Sequence, residues 1–372
     1  MPGTINSNSF LMSTHSLSSG VSTLLPNVTT LEPTLRTTEP IAPGPKKYLI
    51  GLDSLRAIAA LSVCLFHFTG GMLSKLSVPS LQHCFLNGYL GVEMFFVISG
   101  FIIPYSLVNK GHRATDFFTY LKKRILRITP PAYISLALIL SQWAFIDLLV
   151  AHDRRHLDSL SWGQIVNNML FTIPFTHYKW IGIVFWTLAV EFQFYIFIGF
   201  LFNRLFNRPL VWFFGIYALV MASSLLPHAE ALKFLHFSVF FALGGLVLLR
   251  QQGRLSTPTY LAGLLISGAF IYWQLDSYEV LVGIGTALAI NLSTFRIPGF
   301  SLIGKISYSL YLTHAIFGTT AEFVLVRIFH PSSDTSKVVL TAVCLGLTIG
   351  GSYLFYRAVE QPFMRLASQN RG

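Results

Sequence analysis

The sequence predicts an all-α, polytopic integral membrane protein with about ten transmembrane helices and both termini in the cytoplasm. Three observations support this prediction. Of the 372 residues, 53% are hydrophobic and only 11% are charged, whereas soluble domains carry about 25% charged residues. Apolar stretches close to the ~20 residues that span a bilayer recur through the chain. The basic residues fall mostly in alternate loops, which is the pattern that sets orientation in a membrane.

The chain divides into a polar tail, a membrane domain and a short end. Residues 1–45 are rich in Ser, Thr and Pro and have no sustained apolar run, which predicts a disordered tail. Residues 46–362 form the predicted transmembrane domain, and residues 363–372 form a short cytoplasmic tail. The predicted spans lie at 48–70, 88–108, 130–150, 180–202, 209–226, 233–249, 257–274, 278–293, 303–328 and 337–358.

The loop charges predict which side of the membrane each loop faces. With the N-terminus inside, the cytoplasmic loops hold most of the basic residues, and only the loop at 151–179 departs from this pattern. The net charge of +11 is spread over these short clusters and forms no single basic patch, so a nucleic-acid partner is excluded. The three cysteines and the scattered histidines have no metal-ligand spacing, and no metal site is predicted.

The first predicted span carries ionisable residues that a helix in lipid normally excludes. Arg56 and His67 are eleven residues apart, which is ~16.5 Å along a helix and about 20° past three full turns. The two side chains therefore share one face, with Arg56 nearer the cytoplasm. A cation near the opening and a titratable base deeper in would suit an anionic donor. The spacing alone is equally compatible with a structural alternative. In that alternative the Arg56 side chain extends to the lipid headgroups and His67 forms a hydrogen bond to a neighbouring helix.

Two carboxylates lie within other predicted spans. Glu191 is about eleven residues into its span, so it must be protonated, paired or facing water. We expect it to pair with Arg56 or to orient His67, although a purely structural ion pair would explain it as well. Glu93 lies nearer the non-cytoplasmic end of its span. Its side chain either lines a cavity or is solvated at the end of the helix.

Two further clusters are candidates for ligand contacts. Arg124 and Arg127 lie three residues apart on one helical face of the most basic stretch, and two guanidinium groups can grip phosphates. A positively charged flank without a ligand is the alternative. Tyr308, Tyr311 and His314 form a polar stripe at spacings of three, which either lines a cavity or bonds neighbouring helices.

Five segments, taken together, resemble the membrane acyltransferase-3 family. They are Arg56 and His67 with ten residues between them, "GVEMFFVISGFII", "RILRITPPAY", "FWTLAVEFQFY", and "GKISYSLYLTH" with the closing "YRAVEQP". Glu93 stands where the family often has Asp, and Thr187 stands where it often has Ser. The segments run in family order from about residue 50 to residue 362, which covers nearly the whole chain outside the tail.

The resemblance implies a stand-alone O-acyltransferase that takes an acyl group, usually acetyl, from cytoplasmic acyl-CoA as a cosubstrate, with no bound cofactor. Together with the shared face of Arg56 and His67, it predicts three groups of site residues. The catalytic group is His67, Arg56 and Glu191; the donor-binding group is Arg124, Arg127 and Ser99; the cavity-lining group is Glu93, Trp186, Tyr308, Tyr311 and His314.

The expected acceptor is a sugar hydroxyl in an exopolysaccharide or its lipid-linked oligosaccharide precursor, at a bacterial inner membrane. Lipopolysaccharide O-antigen, a macrolide sugar and a membrane lipid are alternative acceptors. Ten spans with buried charges also fit a transporter for a polysaccharide precursor, or a structural partner in a polysaccharide assembly complex. Whether the chain forms a homo-oligomer stays open.

Overall fold

The computed structural model describes residues 48–108, 112–226, 229–292 and 297–369, and within these ranges the regular secondary structure is helical. The predicted disordered tail at 1–45 lies outside the described residues. The α-helices are α1 Tyr48–His67, α2 Pro79–Cys84, α3 Gly91–Val108, α4 Phe117–Phe145, α5 Arg155–Asp158, α6 Trp162–Met169, α7 Phe185–Phe206, α8 Leu210–Ser223, α9 Lys233–Gln251, α10 Thr257–Gln274, α11 Ser277–Asn291, α12 Phe300–Lys305, α13 Ser307–Phe329, α14 Asp334–Phe355 and α15 Gln361–Gln369.

Seven stretches of helix, counted over the described ranges, are long and apolar enough to cross a membrane. They are Gly51–Met72, Pro79–Val108, Phe117–Val150, Phe185–Phe206, Lys233–Gln251, Ser307–Phe329 and Asp334–Gln369. The other three predicted spans coincide with α8, α10 and α11, which have 14, 18 and 15 residues. The prediction of an all-α, polytopic membrane protein is therefore confirmed, and seven helices rather than ten meet the length and composition that crossing requires.

Helix α4 begins 13 residues before the predicted span at 130–150 and continues through Pro130 and Pro131. Proline has no N–H and usually disrupts a helix, and the apolar segment predicted at 130–150 began at the first of these two prolines. The prolines leave the carbonyl oxygens of Leu126 and Arg127 without a donor from their own helix, whereas the Tyr308 hydroxyl of α13 donates to the next carbonyl oxygen, that of Ile128, at 2.7 Å. The basic stretch and the span are one helix.

Helices α3 and α9 pack closely because each places a glycine against the backbone of the other. A Cβ at Gly100 would overlap the Phe241 carbonyl oxygen, and a Cβ at Gly244 would overlap the Val97 carbonyl oxygen. Small residues let helices approach this closely where lipid offers no hydrophobic driving force. Helices α1, α7, α8, α10 and α11 pack against this pair.

Helix α1 is held in the same way between α3 and α12. A Cβ at Gly91 would overlap the Ala59 carbonyl oxygen, and a Cβ at Gly304 would overlap the Asp53 carbonyl oxygen. These backbone contacts lie on either side of Arg56 in the helix. The position of the Arg56 side chain is therefore set by two neighbouring helices.

The C-terminal helix α15 packs against α4 and buries Ala367. The sequence predicted only a short tail from residue 363, whereas residues 361–369 continue as helix after a π-helical turn at Tyr356–Glu360. Because α15 lies beside the basic part of α4, its residues reach the site described next.

Candidate functional site

A cavity of about 650 Å³ lies among α1, α3, α4, α7, α13 and α15, and we call it the main cavity. Its volume falls within the roughly 300–1,000 Å³ of small-molecule sites. Its polar lining comprises Arg56, Ser99, Ser106, His112, Asp116, Thr119, Tyr120, Lys123, Arg124, Arg127, Thr187, Glu191, Tyr195, Ser307, Tyr308, Tyr311 and Ser368. Seven of the predicted site residues are in this lining: Arg56, Ser99, Arg124, Arg127, Glu191, Tyr308 and Tyr311.

Cationic side chains outnumber acidic ones in the lining of the main cavity. Arg56, Lys123, Arg124 and Arg127 stand against only Asp116 and Glu191. The excess positive charge attracts an anionic ligand, and guanidinium groups bind phosphate oxygens through paired hydrogen bonds. The electrostatics of the main cavity therefore favour a ligand that carries several negative charges.

Arg124 is held in place by one hydrogen bond and two aromatic rings. Its Nη2 donates to the Ser106 hydroxyl at 3.0 Å. Its guanidinium carbon lies 5.5 Å from the centre of the Tyr120 ring and 5.6 Å from that of Tyr195. Cation–π contacts of this kind orient a guanidinium while its remaining N–H groups stay free to donate. Arg124 is thus a preorganised donor in the wall of the main cavity.

Arg56 and Arg127 both lie within electrostatic range of a buried carboxylate, Glu360. Glu360 is 1% exposed and accepts a hydrogen bond from the Ser309 hydroxyl at 2.6 Å. It also interacts electrostatically with both arginines. Arg56 donates through Nε to the Ser307 hydroxyl at 3.0 Å, whereas no hydrogen bond of the Arg127 guanidinium is seen among the described residues. Arg127 therefore has donors available for a ligand.

Glu191 lies near Arg124 rather than beside Arg56 or His67. It accepts hydrogen bonds from the Tyr195 hydroxyl at 2.6 Å and from Ser99 at 3.3 Å. Tyr195 interacts electrostatically with both Glu191 and Arg124. Among the described residues, neither Arg56 nor His67 donates a hydrogen bond to Glu191, whose two donors, Ser99 and Tyr195, lie on α3 and α7. Its place in the structure is to orient Ser99 and Tyr195 in the cavity wall.

The inner part of the main cavity lies beside two stacked histidines. The Tyr311 hydroxyl lies 2.9 Å from the Thr187 hydroxyl, and both residues line the main cavity. The His314 ring centre is 6.2 Å from that of Tyr311 and 5.2 Å from that of His67, with 23° between the planes of the two imidazoles. His67 is half-buried and does not itself line the main cavity. The histidine pair therefore lies behind Tyr311, which forms part of the wall of the main cavity.

His314 is fixed in one tautomer. Its Nδ1 lies 2.8 Å from the Tyr311 carbonyl oxygen and so carries the donated proton, which leaves Nε2 as an acceptor. The side chain is fully buried, and Nε2 has no hydrogen-bond partner within the described part of the chain. A buried nitrogen without a hydrogen-bond partner costs free energy in a protein interior. A polar group of a ligand that binds beside the histidine pair would reduce this cost.

Glu93 and Trp186 lie away from the main cavity. Glu93 is 6% exposed and interacts electrostatically with Tyr311 and with Glu279 of α11. Trp186 packs its ring 5.7 Å from that of Phe237 and lies under the Lys233 ammonium at 5.5 Å. The structure thus places both side chains behind the cavity wall, as it does His314, because their helix faces turn toward neighbouring helices.

Sequence reasoning missed Glu360, Lys123 and Tyr195 as members of the site. Glu360 lies in "YRAVEQP", which carried no expected role beyond its resemblance to the family. An acid 233 residues away from the nearer arginine gives no local signal of pairing. Tyr195 is four residues after Glu191, and a same-face spacing in α7 was the one available sign of their contact.

Removing the Glu360 side chain is expected to destabilise the fold. Glu360→Ala leaves the buried Ser309 hydroxyl without its acceptor and removes the negative charge that offsets Arg56 and Arg127, and a hydrogen bond to a charged group contributes about 1.5–3 kcal/mol. Glu360→Gln keeps an acceptor for Ser309 and should lose less. Thermal unfolding in detergent micelles measures both variants, and an alanine variant as stable as the wild type would contradict the account.

Comparison with known proteins identifies relatives over most of the chain. Residues 49–357 match the family Acyl_transf_3, described as "Acyltransferase domain". O-acetyltransferase OatA of Staphylococcus aureus (strain NCTC 8325 / PS 47) is 29% identical over 163 residues, which are 40% of this chain and 24% of that protein. "Putative O-acetyltransferase SACOL0978" of Staphylococcus aureus (strain COL) is 24% identical over 371 residues, covering 86% of this chain and 58% of that protein.

The chain thus spans between about a quarter and three-fifths of the length of these relatives. No solved structure matches the chain. The matched segment, residues 49–357, includes every predicted site residue. Glu360 and the residues of α15 lie beyond it.

Proposed function

Because the chain belongs to the acyltransferase-3 family, we propose that it is a membrane O-acyltransferase that moves an acyl group, in the first place acetyl, from cytoplasmic acyl-CoA to an acceptor hydroxyl. The observation that carries this proposal is the main cavity itself. It is rich in arginine and borders a histidine pair, so an anionic donor and a base lie on one path. Relatives over the matched region are named as O-acetyltransferases.

The arginines of the main cavity suit the phosphates of CoA. Arg124 and Arg127 share one face of α4 and would hold these phosphates, with Lys123 adjoining them. Ser99, oriented by Glu191, would contact the pantetheine arm further in. Arg56 would bind the donor near its acyl end, since its guanidinium is fixed by Ser307 and lies on the same side of α1 as the path to His67.

His67 would activate the acceptor. Its imidazole takes the proton from the acceptor hydroxyl as the oxygen attacks the thioester carbonyl; the C–S bond breaks, and CoA leaves as a thiolate that takes up a proton. Alternatively, His67 attacks the thioester carbonyl first, the C–S bond breaks and CoA leaves; the acceptor hydroxyl then attacks the acyl-imidazole, the C–N bond breaks, and the hydroxyl proton returns to the freed imidazole. In both routes the acyl end must pass Tyr311 to reach the histidine pair. His314, with its fixed tautomer, would orient the His67 ring by stacking.

The loop charges support ten crossings with both termini in the cytoplasm. In that arrangement, α8, α10 and α11 complete the set of spans, and the basic part of α4 faces the cytoplasm with the opening of the main cavity. The proposed location is a bacterial inner membrane. The acceptor we favour is a sugar of an exopolysaccharide or of its lipid-linked precursor.

Acceptor-dependent release of free CoA tests the proposal. The protein is reconstituted in liposomes with acetyl-CoA and a lipid-linked glycan fraction, and free thiol is measured over time. We expect CoA release only when protein and glycan are both present. A transporter for the same glycans would move them without cleaving the donor, so glycan movement without CoA release would overturn the proposal and favour that alternative.

Arg127→Ala is expected to raise the KM for acetyl-CoA at least about tenfold, because a lost charge-assisted hydrogen bond costs about 1.5–3 kcal/mol. The maximal rate should change little, since Arg127 would hold a phosphate of the donor and would not contact the reacting carbonyl. Arg357→Ala is the matched control, because Arg357 is exposed and does not line the main cavity. An unchanged KM in Arg127→Ala would instead indicate that Arg127 only helps to set the orientation of the protein in the membrane.

A further inference from the structure

Helix α15 contributes to the main cavity although it lies outside the segment that matches the family. Met364, Ala367 and Ser368 line the main cavity, whereas the matched segment ends at residue 357. Their spacing of three and four residues places the three side chains on one face of α15. The same helix packs against α4. The function proposed above gives these residues no role.

The open end of the main cavity lies between α15 and the beginning of α4. Asp116, Thr119 and Ser368 line the cavity and are exposed, whereas Thr187 and Tyr311, which line its inner part, are buried. A ligand that fills the main cavity therefore has its outer end beside the exposed residues. We call this end the mouth, defined by Asp116, Thr119, Lys123, Met364 and Ser368.

The charge of the lining changes sign along α4 from the mouth inward. Asp116 immediately precedes the helix. Lys123 lies seven residues further on, about 10 Å along the helix axis, and Arg124 and Arg127 follow it. Because a carboxylate repels phosphate, the phosphates of a ligand should begin at Lys123. The part of the ligand beside Asp116 should be uncharged and able to donate hydrogen bonds.

The chemical order of a CoA thioester matches this order of side chains. From the acyl group outward, the molecule consists of pantetheine, a diphosphate, a ribose with a 3′-phosphate, and adenine. With the diphosphate on Arg124 and Arg127, the ribose, its 3′-phosphate and the adenine remain for the mouth. Lys123 is the basic residue of the mouth, and no ion pair in the described part of the chain involves its ammonium group.

The other side chains of the mouth suit a nucleoside. The Met364 thioether is flexible and polarisable, and such groups pack favourably on aromatic rings. Ser368 donates its own proton to the Arg365 carbonyl oxygen at 2.7 Å, so its oxygen can still accept a hydrogen bond. Asp116 accepts the Arg113 backbone N–H through Oδ2 at 2.8 Å, which leaves Oδ1 for a ligand. The amino group of adenine and the 2′-hydroxyl of the ribose are donors that these oxygens can accept.

From the exposed mouth, its lysine and the lining face of α15, we infer that α15 and the beginning of α4 form a nucleotide subsite that binds the adenosine 3′-phosphate end of the donor. In this subsite Lys123 pairs with the 3′-phosphate and Met364 packs on the adenine ring. The inference rests on the proposed function and deepens it, because it restricts the donor to thioesters that carry a nucleotide. An acyl carrier protein presents phosphopantetheine without one.

Equilibrium binding tests the inference without relying on turnover. The full chain in detergent micelles is titrated by calorimetry with CoA, with 3′-dephospho-CoA and with 4′-phosphopantetheine, which lack first the 3′-phosphate and then the whole nucleotide. We expect CoA to bind about tenfold more tightly than 3′-dephospho-CoA, the size of one charge-assisted hydrogen bond. 4′-Phosphopantetheine should bind more weakly than either.

Lys123→Ala should bind CoA and 3′-dephospho-CoA equally, because the side chain that distinguishes them is removed. Lys122→Ala is the matched control, since Lys122 is the exposed neighbour that does not line the main cavity, and it should keep the tenfold preference. Equal binding of the two ligands by the wild-type protein, or a preference that survives in Lys123→Ala, would overturn the inference.

Met364→Ala should weaken the binding of CoA and of 3′-dephospho-CoA about fivefold, the size of a contact between sulfur and an aromatic ring. Binding of 4′-phosphopantetheine should not change, because that ligand has no adenine. Leu366→Ala, an exposed position of α15 outside the lining, should leave the binding of all three ligands unchanged. An equal loss for 4′-phosphopantetheine in Met364→Ala would show that α15 only supports α4 and would refute the adenine contact.

Acceptor-dependent CoA release in liposomes reports on the proposed function separately. Equal kcat/KM for acetyl-CoA and for its 3′-dephospho form would retain the acyltransferase and overturn the nucleotide subsite. Selective binding of CoA without any acceptor-dependent release would support the subsite and contradict acyl transfer as its purpose.

Discussion

His67→Ala is expected to lower the rate of acyl transfer by about 10²–10⁴-fold, the usual contribution of a general acid–base group. The variant removes the imidazole that would take the proton of the acceptor hydroxyl, while the half-buried position and the flanking packing of α1 are kept. The KM for acetyl-CoA should stay near the wild-type value, since Arg124 and Arg127 still line the main cavity. Initial rates of CoA release in proteoliposomes measure both quantities.

His83→Ala is the matched control for this prediction. His83 is exposed on α2, and its Nδ1 lies near the Pro79 carbonyl oxygen, so the same substitution there should leave the rate unchanged. Near-normal transfer in a folded His67→Ala protein would refute the catalytic assignment. It would then direct attention to His314, whose Nε2 lacks a partner in the described structure.

Gly100→Ala is expected to prevent accumulation of the folded protein. The new Cβ would overlap the Phe241 carbonyl oxygen, and backbone cannot move aside as a flexible side chain does. Separating α3 from α9 would strip contacts from the centre of the bundle, at a cost of at least about 3 kcal/mol, the upper end of ordinary overpacking. The yield of detergent-soluble, monodisperse protein and its unfolding temperature measure the effect.

Gly285→Ala provides the control for helix propensity. Gly285 lies within α11 with open space where a Cβ would be built. The same substitution there should be neutral or stabilising by about 0.4–1 kcal/mol, because alanine restricts the unfolded chain. A Gly100→Ala protein that accumulates and unfolds like the Gly285→Ala protein would show that α3 and α9 are not packed as described.

Hydropathy predicted the positions of the helices well, because lipid requires each spanning segment to satisfy its own backbone and to present apolar side chains. Each of the ten predicted segments overlaps a helix. The boundaries were less predictable. The start of α4 at Phe117 was not predicted, because the basic residues before Pro130 interrupt the apolar pattern although the helix runs through them.

The candidate site was predictable in part from helical geometry. Arg124 and Arg127 lie on the face of α4 that their spacing predicted, and both line the main cavity. The hydrogen-bond partners of Glu191 were not predictable. The depth of a residue within a membrane span does not specify which neighbouring helix its side chain contacts. The buried contact between Glu360 and Ser309 joins the turn after α14 to α13, and only the fold brings them together.

The stacking of His67 on His314 shows the same limit. Helical spacing placed His67 on the face of Arg56, yet the 23° between the imidazole planes arises from the packing of α1 against α13. The sequence stripe of Tyr308, Tyr311 and His314 marked α13 as polar. It did not distinguish the two tyrosines, which line the main cavity, from the histidine behind them.

The central claim is that an acyl group passes from CoA to an acceptor oxygen on this protein. The most direct measurement follows acetyl-labelled acetyl-CoA in proteoliposomes supplied with a glycan fraction, and recovers the label as alkali-labile esters of saccharide. We predict one labelled ester for each CoA released by the wild-type protein, and about 10²–10⁴-fold slower formation of both products by His67→Ala. CoA release with the label recovered only as free acetate would contradict the claim.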